Sequence, residues 1–203
     1  KTYNMFFDNQ SASLVKKEIE RIDIITFTNV FAHIENFTEL LNNLKLITNE
    51  DTIIVIENHY LGAVLKKDQF DTFYHEHPRT YSQTSFEFIA KKLGLNIIKV
   101  QYVSRYGGNI RVFIGKGKSI EKAKNKEKDF LSRFKIMEKN LNKWILNTKK
   151  LIFNYEKLNG KIKAKAFPGR AAILIKLLGI NENHISAVYE IKGSKKVGHY
   201  VPG

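Results

Sequence analysis

The sequence predicts an α/β protein: a parallel sheet that ends in an antiparallel hairpin, then a long helix, then the opening of a second α/β unit. Three observations carry this. Strand-length apolar runs alternate with stretches of helical period. The last two runs of the first series are separated only by a short loop containing Gly107-Gly108. From Phe130 onward, apolar residues recur every three or four positions over a stretch too long for one ordinary helix–strand step.

In chain order, residues 22–27 read as a buried strand interrupted only by Asp23 and Thr26, with residues 29–33 as the loop at its carboxyl end. Asn36 is placed to cap the next helix, Glu39 stands three residues on in the capping-box position, and Leu40, Leu41, Leu44 and Ile47 form its apolar stripe. Residues 52–57 make a second strand and residues 61–65 a short helical piece. Ser82 or Thr84 caps a helix carrying Phe86, Ile89, Ala90 and Leu93, which Gly94 stops. Residues 95–103 and 109–114 form the hairpin. Phe134, Met137, Leu141, Trp144, Ile145, Leu151, Ile152, Tyr155 and Leu158 predict a long amphipathic helix, with room for one break, ended by Gly160. Residues 161–166, Pro168-Gly169, the helical run 171–178 and a strand at 185–189 open the second unit. The expected domains are 1–116, a helical connection at 117–160, and 161–203.

Composition narrows the function classes. The 203 residues, 43% of them hydrophobic, suffice for a packed core. No apolar run approaches the roughly 20 residues that cross a bilayer, and the first residues lack a secretory signal, so a soluble, cytoplasmic protein is expected. The absence of cysteine excludes disulfides and thiolate chemistry within these residues. The formal charge of +14 is compatible with a nucleic-acid, membrane or anionic-substrate partner. Its lysines are densest at 116–150, broken up by glutamate and asparagine and without arginine clusters among aromatics, so a solvated helix face is expected, and no specific nucleic acid.

The densest chemistry is Tyr74-His75-Glu76-His77, preceded by Asp71 and followed by Arg79 and Tyr81. Imidazole exchanges protons near neutrality, and a neighbouring carboxylate or phenol can orient it, so this polar loop reads as a proton-transfer site. A metal-chelating pair or an ordinary surface loop are the competing readings. His33 and His59 follow the first and second strands, where open α/β sheets bind ligands, although single histidines there also serve as packed or capping residues. Gly107-Gly108-Asn109 reads as a tight turn, or as backbone kept bare for close approach to a substrate. No glycine precedes Gly62, so the glycine-rich turn that usually opens a nucleotide-binding sheet is missing. Either the sheet binds no nucleotide or the chain begins after its first strands.

Taken in order, Asn29-Val30-Phe31-Ala32-His33-Ile34, Glu57-Asn58-His59-Tyr60-Leu61, Gln69-Phe70-Asp71, Tyr74-His75-Glu76-His77 and Gly107-Gly108-Asn109-Ile110-Arg111-Val112 resemble the class I S-adenosylmethionine-dependent sugar C-methyltransferases of deoxysugar biosynthesis. Ala166-Phe167-Pro168-Gly169-Arg170-Ala171, Leu178-Gly179-Ile180 and the final Gly198-His199-Tyr200-Val201-Pro202-Gly203 resemble the family's C-terminal Rossmann-like domain, with Phe167-Pro168-Gly169-Arg170 in place of a more usual small-residue and lysine pattern. The family has a zinc-binding domain, a methyltransferase domain with a glycine-rich cofactor loop, and a C-terminal domain that helps hold the nucleotide sugar. The resemblance implies a chain that starts after the zinc domain and cofactor loop and stops inside the last domain, with zinc expected only in the part in front and no metal here.

It also implies a class I methyltransferase sheet and C-methylation of a nucleotide-linked 4-keto deoxysugar. His77 is nominated as base, with Glu76 and Tyr74 orienting it or sharing that role and His33 as donor to the developing enolate. Asn29, Val30 and Phe31 are implied beside the methionine part of S-adenosylmethionine, with Phe7 near the adenine. His59, Tyr60, Gly108, Asn109 and Arg170 are implied on the nucleotide-sugar substrate. O-methylation of a surface-polysaccharide sugar, or binding of a nucleotide sugar without chemistry, are the alternatives.

Overall fold

The computed structural model describes residues 2–120, 123 and 127–200. Part of the lysine-rich stretch, at 121–122 and 124–126, and the final Val201-Pro202-Gly203 of the tail motif lie outside the described residues. Two compact units divide the chain: Lys1–Lys67 with His75–Arg133, and Asp68–Tyr74 with Phe134–Gly203.

The first unit holds helix α1 (Asn9–Glu18), strand β1 (Ile24–Thr28), α2 (Phe37–Ile47), β2 (Ile53–His59), α3 (Leu61–Lys66), α4 (Gln83–Leu93), β3 (Asn96–Val103) and β4 (Asn109–Gly115). The sheet order is β1-β2-β4-β3. β1 and β2 pair in parallel, whereas β4 is antiparallel to both β2 and β3. The hairpin expected from Gly107-Gly108 is present, but its second strand does not close the sheet. It inserts between β2 and β3, so three strands run one way and the inserted one runs back.

Local chemistry sets the boundaries. Asn36 accepts from the Glu39 backbone N–H (3.2 Å) and its amide donates to the Glu39 carboxylate (2.9 Å), which starts α2. Of the two candidate caps, Ser82 is the one that starts α4, in a reciprocal box with Ser85, and Gly94 ends it at φ 74°. β1 begins at Ile24 rather than 22 because the Ile22 carbonyl is taken by the Thr52 hydroxyl (2.7 Å) and the Asn49 amide (3.1 Å). β2 runs on to His59 because β4 pairs beside it through His59↔Asn109, so its polar end is strand and not loop. α1 has no counterpart in the sequence expectations. Its Asp8–Ser11 capping box was the available signal, but it buries only Ser11 and Ala12 and so lacks an apolar stripe.

The core lies on one face of the sheet. Ile54 and Ile56 on β2, Ile110, Val112 and Ile114 on β4, and Ile97 on β3 pack with Leu40 and Leu44 of α2 and Phe86, Ile89 and Ala90 of α4. Phe31 sits fully buried among Phe27, Phe37, Tyr81 and Phe86, with ring centroids 5.4–6.3 Å away. On the other face β2 and β4 carry Glu57, His59, Asn109 and Arg111.

The long helix α5 (Phe130–Asn159) is one unbroken helix of 30 residues. In the second unit Trp144 meets Phe70 (5.3 Å) and Phe134 meets Phe73 (6.1 Å). β5 (Ile162–Lys165), α6 (Ala171–Leu178) and β6 (Ile185–Tyr189) form a β-α-β unit with parallel strands. This is the second α/β unit that the sequence predicts.

Candidate active site at the strand ends

The carboxyl ends of β1 and β2 and the amino end of β4 meet at one edge of the first unit's sheet, where ligands of open α/β sheets bind. Glu57 stands directly opposite Arg111, and Arg111 opposite Gln101, so one row of side chains crosses three strands. The Glu57 side chain is 3% exposed and receives Arg111 Nη2 (2.6 Å) and Nε (2.8 Å) on one oxygen. Its other oxygen accepts from Asn109 Nδ2 (3.0 Å), which also reaches Asn29 Oδ1 (3.1 Å). Burial pushes the Glu57 carboxyl up, but the hydrogen bonds from Asn109 and Arg111 and the charges of Arg111 and Arg105 outweigh it and hold the group below the usual glutamate range.

That network continues into the loop after β1. Asn29 adopts a left-handed backbone (φ 53°), which asparagine tolerates better than most residues, and its N–H donates to the Glu57 carbonyl (2.8 Å). With its side-chain amide assigned so that nitrogen and oxygen each face a complementary group, Asn58 donates to the same carbonyl (2.8 Å) and accepts from Ala32 N–H (3.1 Å). A short 3-10 turn, Phe31–His33, follows, and His33 is its exposed end.

Three imidazoles gather there. The His33 and His77 rings are 4.6 Å apart and the His59 and His77 rings 5.7 Å, with Tyr106 6.3 Å beyond His59. Residues separated by 44 positions of chain thus share one surface. Pro78 restricts His77 to extended backbone. His75 and Glu76 are more open, 81% and 53% exposed, and contact each other at 4.0 Å. Among the described residues, no three histidine, aspartate or glutamate side chains are placed as a metal-ligand set.

The remaining nominated residues divide. Val30 is half exposed beside Asn29. Phe31 is core, so only its backbone is available to a ligand. Phe7 is half-buried against Phe27 (6.2 Å). The Tyr60 ring lies over Gly62, where a Cβ would approach it to 2.4 Å, and its hydroxyl donates to Glu127 (3.2 Å). Burial, with Tyr102 and Glu127 nearby, raises that hydroxyl far above the usual tyrosine range. Gly108 (φ 139°) has a packing reason for lacking a side chain, since a Cβ would meet that of Ala63 at 2.5 Å. Asn109 is 1% exposed, and its Oδ1 has no hydrogen-bond partner among the described residues. Tyr74 and Arg170 belong to the second unit, where Arg170 pairs with Asp71 (3.1 Å).

Sequence reasoning named Arg79 beside the histidine loop and Arg111 within a motif, but gave neither a role of its own. Arg79 donates to the carbonyls of Ile34 (2.6 Å) and Glu35 (2.9 Å) and lies 5.4 Å over the Phe37 ring. Among the described residues no helix is long and apolar enough to cross a membrane.

Residues 1–100 match the model of a methyltransferase domain. Over 83 residues the chain is 36% identical to "C-methyltransferase NovU" of Streptomyces niveus, a match that covers 41% of this chain and 20% of that protein. The matched part of the chain therefore spans about a fifth of the length of that curated relative. Both findings support a methyltransferase, and the mixed α/β sheet of the first unit is consistent with the Rossmann-like fold of that class.

Proposed function

We propose that the chain is part of an S-adenosylmethionine-dependent methyltransferase that transfers a methyl group to carbon on a nucleotide-linked 4-keto deoxysugar. The single observation that carries this reading is the imidazole cluster at the strand ends, with His33 and His77 in ring contact at 4.6 Å. C-methylation needs a carbanion equivalent, and a ketone supplies one when a base removes the proton at the adjacent carbon. His77 is the base. His33 donates a hydrogen bond to the ketone oxygen as negative charge develops there. Glu76, one residue before His77 and exposed, orients the imidazole or shares its proton, and Tyr74 has the same part.

S-adenosylmethionine, when bound, supplies an electrophilic methyl group on a sulfonium. The residues that fit it are Asn29, held left-handed at the end of β1, and the half-exposed Val30, with Phe31 contributing backbone alone. Phe7 stands toward the adenine end. His59, Tyr60, Gly108, Asn109 and Arg170 are assigned to the sugar nucleotide. His59 approaches it directly, and Asn109 acts through Asn29 and Glu57.

The reading is tested by isotope exchange. The natural protein is incubated in deuterated water with a thymidine-diphosphate 4-keto sugar, with and without S-adenosylmethionine. Deuterium should appear at the carbon beside the ketone without cofactor, a carbon-bound methyl should appear with it, and His77→Ala should abolish both. A methyl group on oxygen with no exchange at carbon establishes O-methylation instead. Neither exchange nor methylation sinks the proposal.

A further inference from the structure

We propose that Arg79 is a positioning residue that sets the contact between His33 and His77. The inference deepens the proposed function and rests on it for its effect on turnover, but its geometric core stands apart from any reaction.

His77 lies in a loop without regular secondary structure whose neighbours His75 and Glu76 face solvent. Such a segment keeps one arrangement only where side chains tie it down. On its C-terminal side the ties are dense. Tyr81 forms a bridge with Tyr60, its carbonyl accepts from Leu61 N–H (2.8 Å), and its ring is buried against Phe31 and Phe86. These contacts hold the chain to the core as far back as residue 81.

Arg79 is the next tie toward His77. Two nitrogens of its planar fork donate to two successive carbonyls, of Ile34 and Glu35, and the guanidinium covers Phe37. Those carbonyls directly follow His33, and Arg79 itself stands two residues after His77. One side chain therefore joins the two segments that bear the facing imidazoles. Lysine offers a single rotatable ammonium and cannot span two carbonyls with one rigid group while stacking on a ring. Two of the five N–H donors of Arg79 are committed to the protein's own carbonyls, which fixes the plane of the guanidinium.

The experiment is nuclear Overhauser spectroscopy on the labelled chain, comparing wild type, Arg79→Ala and Arg79→Lys. Wild type should show a cross-peak between the ring protons of His33 and His77, and its absence overturns the proposal. Arg79→Ala should lose that peak while keeping the one between Tyr81 and Phe86, whose rings are 4.9 Å apart in the core. Guanidinium ion at low, non-denaturing concentration should restore it, and ammonium should not. An undiminished His33–His77 peak in Arg79→Ala overturns the proposal. If Arg79→Ala loses the core peak as well, Arg79→Lys decides: a folded lysine variant without the histidine contact supports the clamp, and one that keeps it overturns the clamp.

In the deuterium-exchange assay Arg79→Ala should lower kcat about a hundredfold with little change in KM, since displacement of a base by about 1 Å costs that much. A lost cross-peak in a protein that shows no His77-dependent exchange would leave the clamp standing and the proposed chemistry refuted.

Discussion

Glu57, Arg111, Asn109 and Asn29 occupy the same strand ends as His33, His59 and His77, yet the two groups are held in opposite ways. The first is joined by hydrogen bonds of 2.6–3.1 Å around a carboxylate that is 3% exposed. The second is joined by ring contacts at 4.6 and 5.7 Å, with His33 at the surface and His59 and His77 half-buried. A buried charge must be satisfied by fixed partners, and those partners then fix the backbone around it. A proton-transfer group must instead stay accessible to substrate. On the proposed function, the strand ends thus combine a rigid polar base with an open rim that carries the chemistry, and substitutions in the two should separate stability from turnover.

The largest effect is expected from Arg111→Ala, which leaves the Glu57 carboxylate buried without its cation. A loss of about 3 kcal/mol in unfolding free energy is expected in urea titrations, toward the low end for broken buried pairs because Arg111 retains 37% exposure. The same pair fixes a pH dependence. Glu57 titrates below the usual value in the folded state, so its contribution is fully present above about pH 4.3 and is lost as pH falls through the lower folded value. Wild-type stability should decline in that acid window, and the Arg111→Ala curve should be flatter there. Equal slopes would show that Glu57 is not the group responsible.

His77→Ala should give the reverse signature. Turnover of the natural protein should fall at least about a hundredfold, equivalent to about 2.7 kcal/mol in the barrier. Its unfolding free energy should change by no more than about 0.5 kcal/mol, as for other substitutions outside the core. A large loss of stability with turnover intact would merge the rim with the base and remove the contrast.

How far this contrast was legible in the sequence follows from what sequence encodes. Periodicity and caps are local, so Asn36, Ser82, Gly94, the Gly107-Gly108 hairpin and the helix from Phe130 could all be read from the chain. Strand adjacency is not local. Glu57 and Arg111 are 54 residues apart and become partners only because β4 enters between β2 and β3. Arg79 is masked for the same reason, since its acceptors lie 44 and 45 residues earlier. Phe31 shows the converse, a core side chain whose backbone alone is left for the role the resemblance implies. The resemblance placed it beside the cofactor, and an aromatic in a loop carries no periodicity to mark it as core, but four ring neighbours bury it completely.

The smallest effect is expected where the chemistry of the Glu57–Arg111 pair recurs without its burial. Arg170 and Asp71 in the second unit approach to 3.1 Å, but their side chains are 45% and 33% exposed, so solvent and salt screen the attraction. Arg170→Ala should therefore cost about 0.5 kcal/mol or less, with a difference that vanishes at high salt. The proposed role on the sugar nucleotide makes a separate demand. Removing a cation that contacts the diphosphate should weaken thymidine-diphosphate sugar binding in calorimetric titration while S-adenosylhomocysteine binding stays unchanged. If stability and both affinities are unchanged, Arg170 is a surface residue with no part in the site. If stability falls by as much as in Arg111→Ala, burial is not what distinguishes the two arginine–carboxylate pairs.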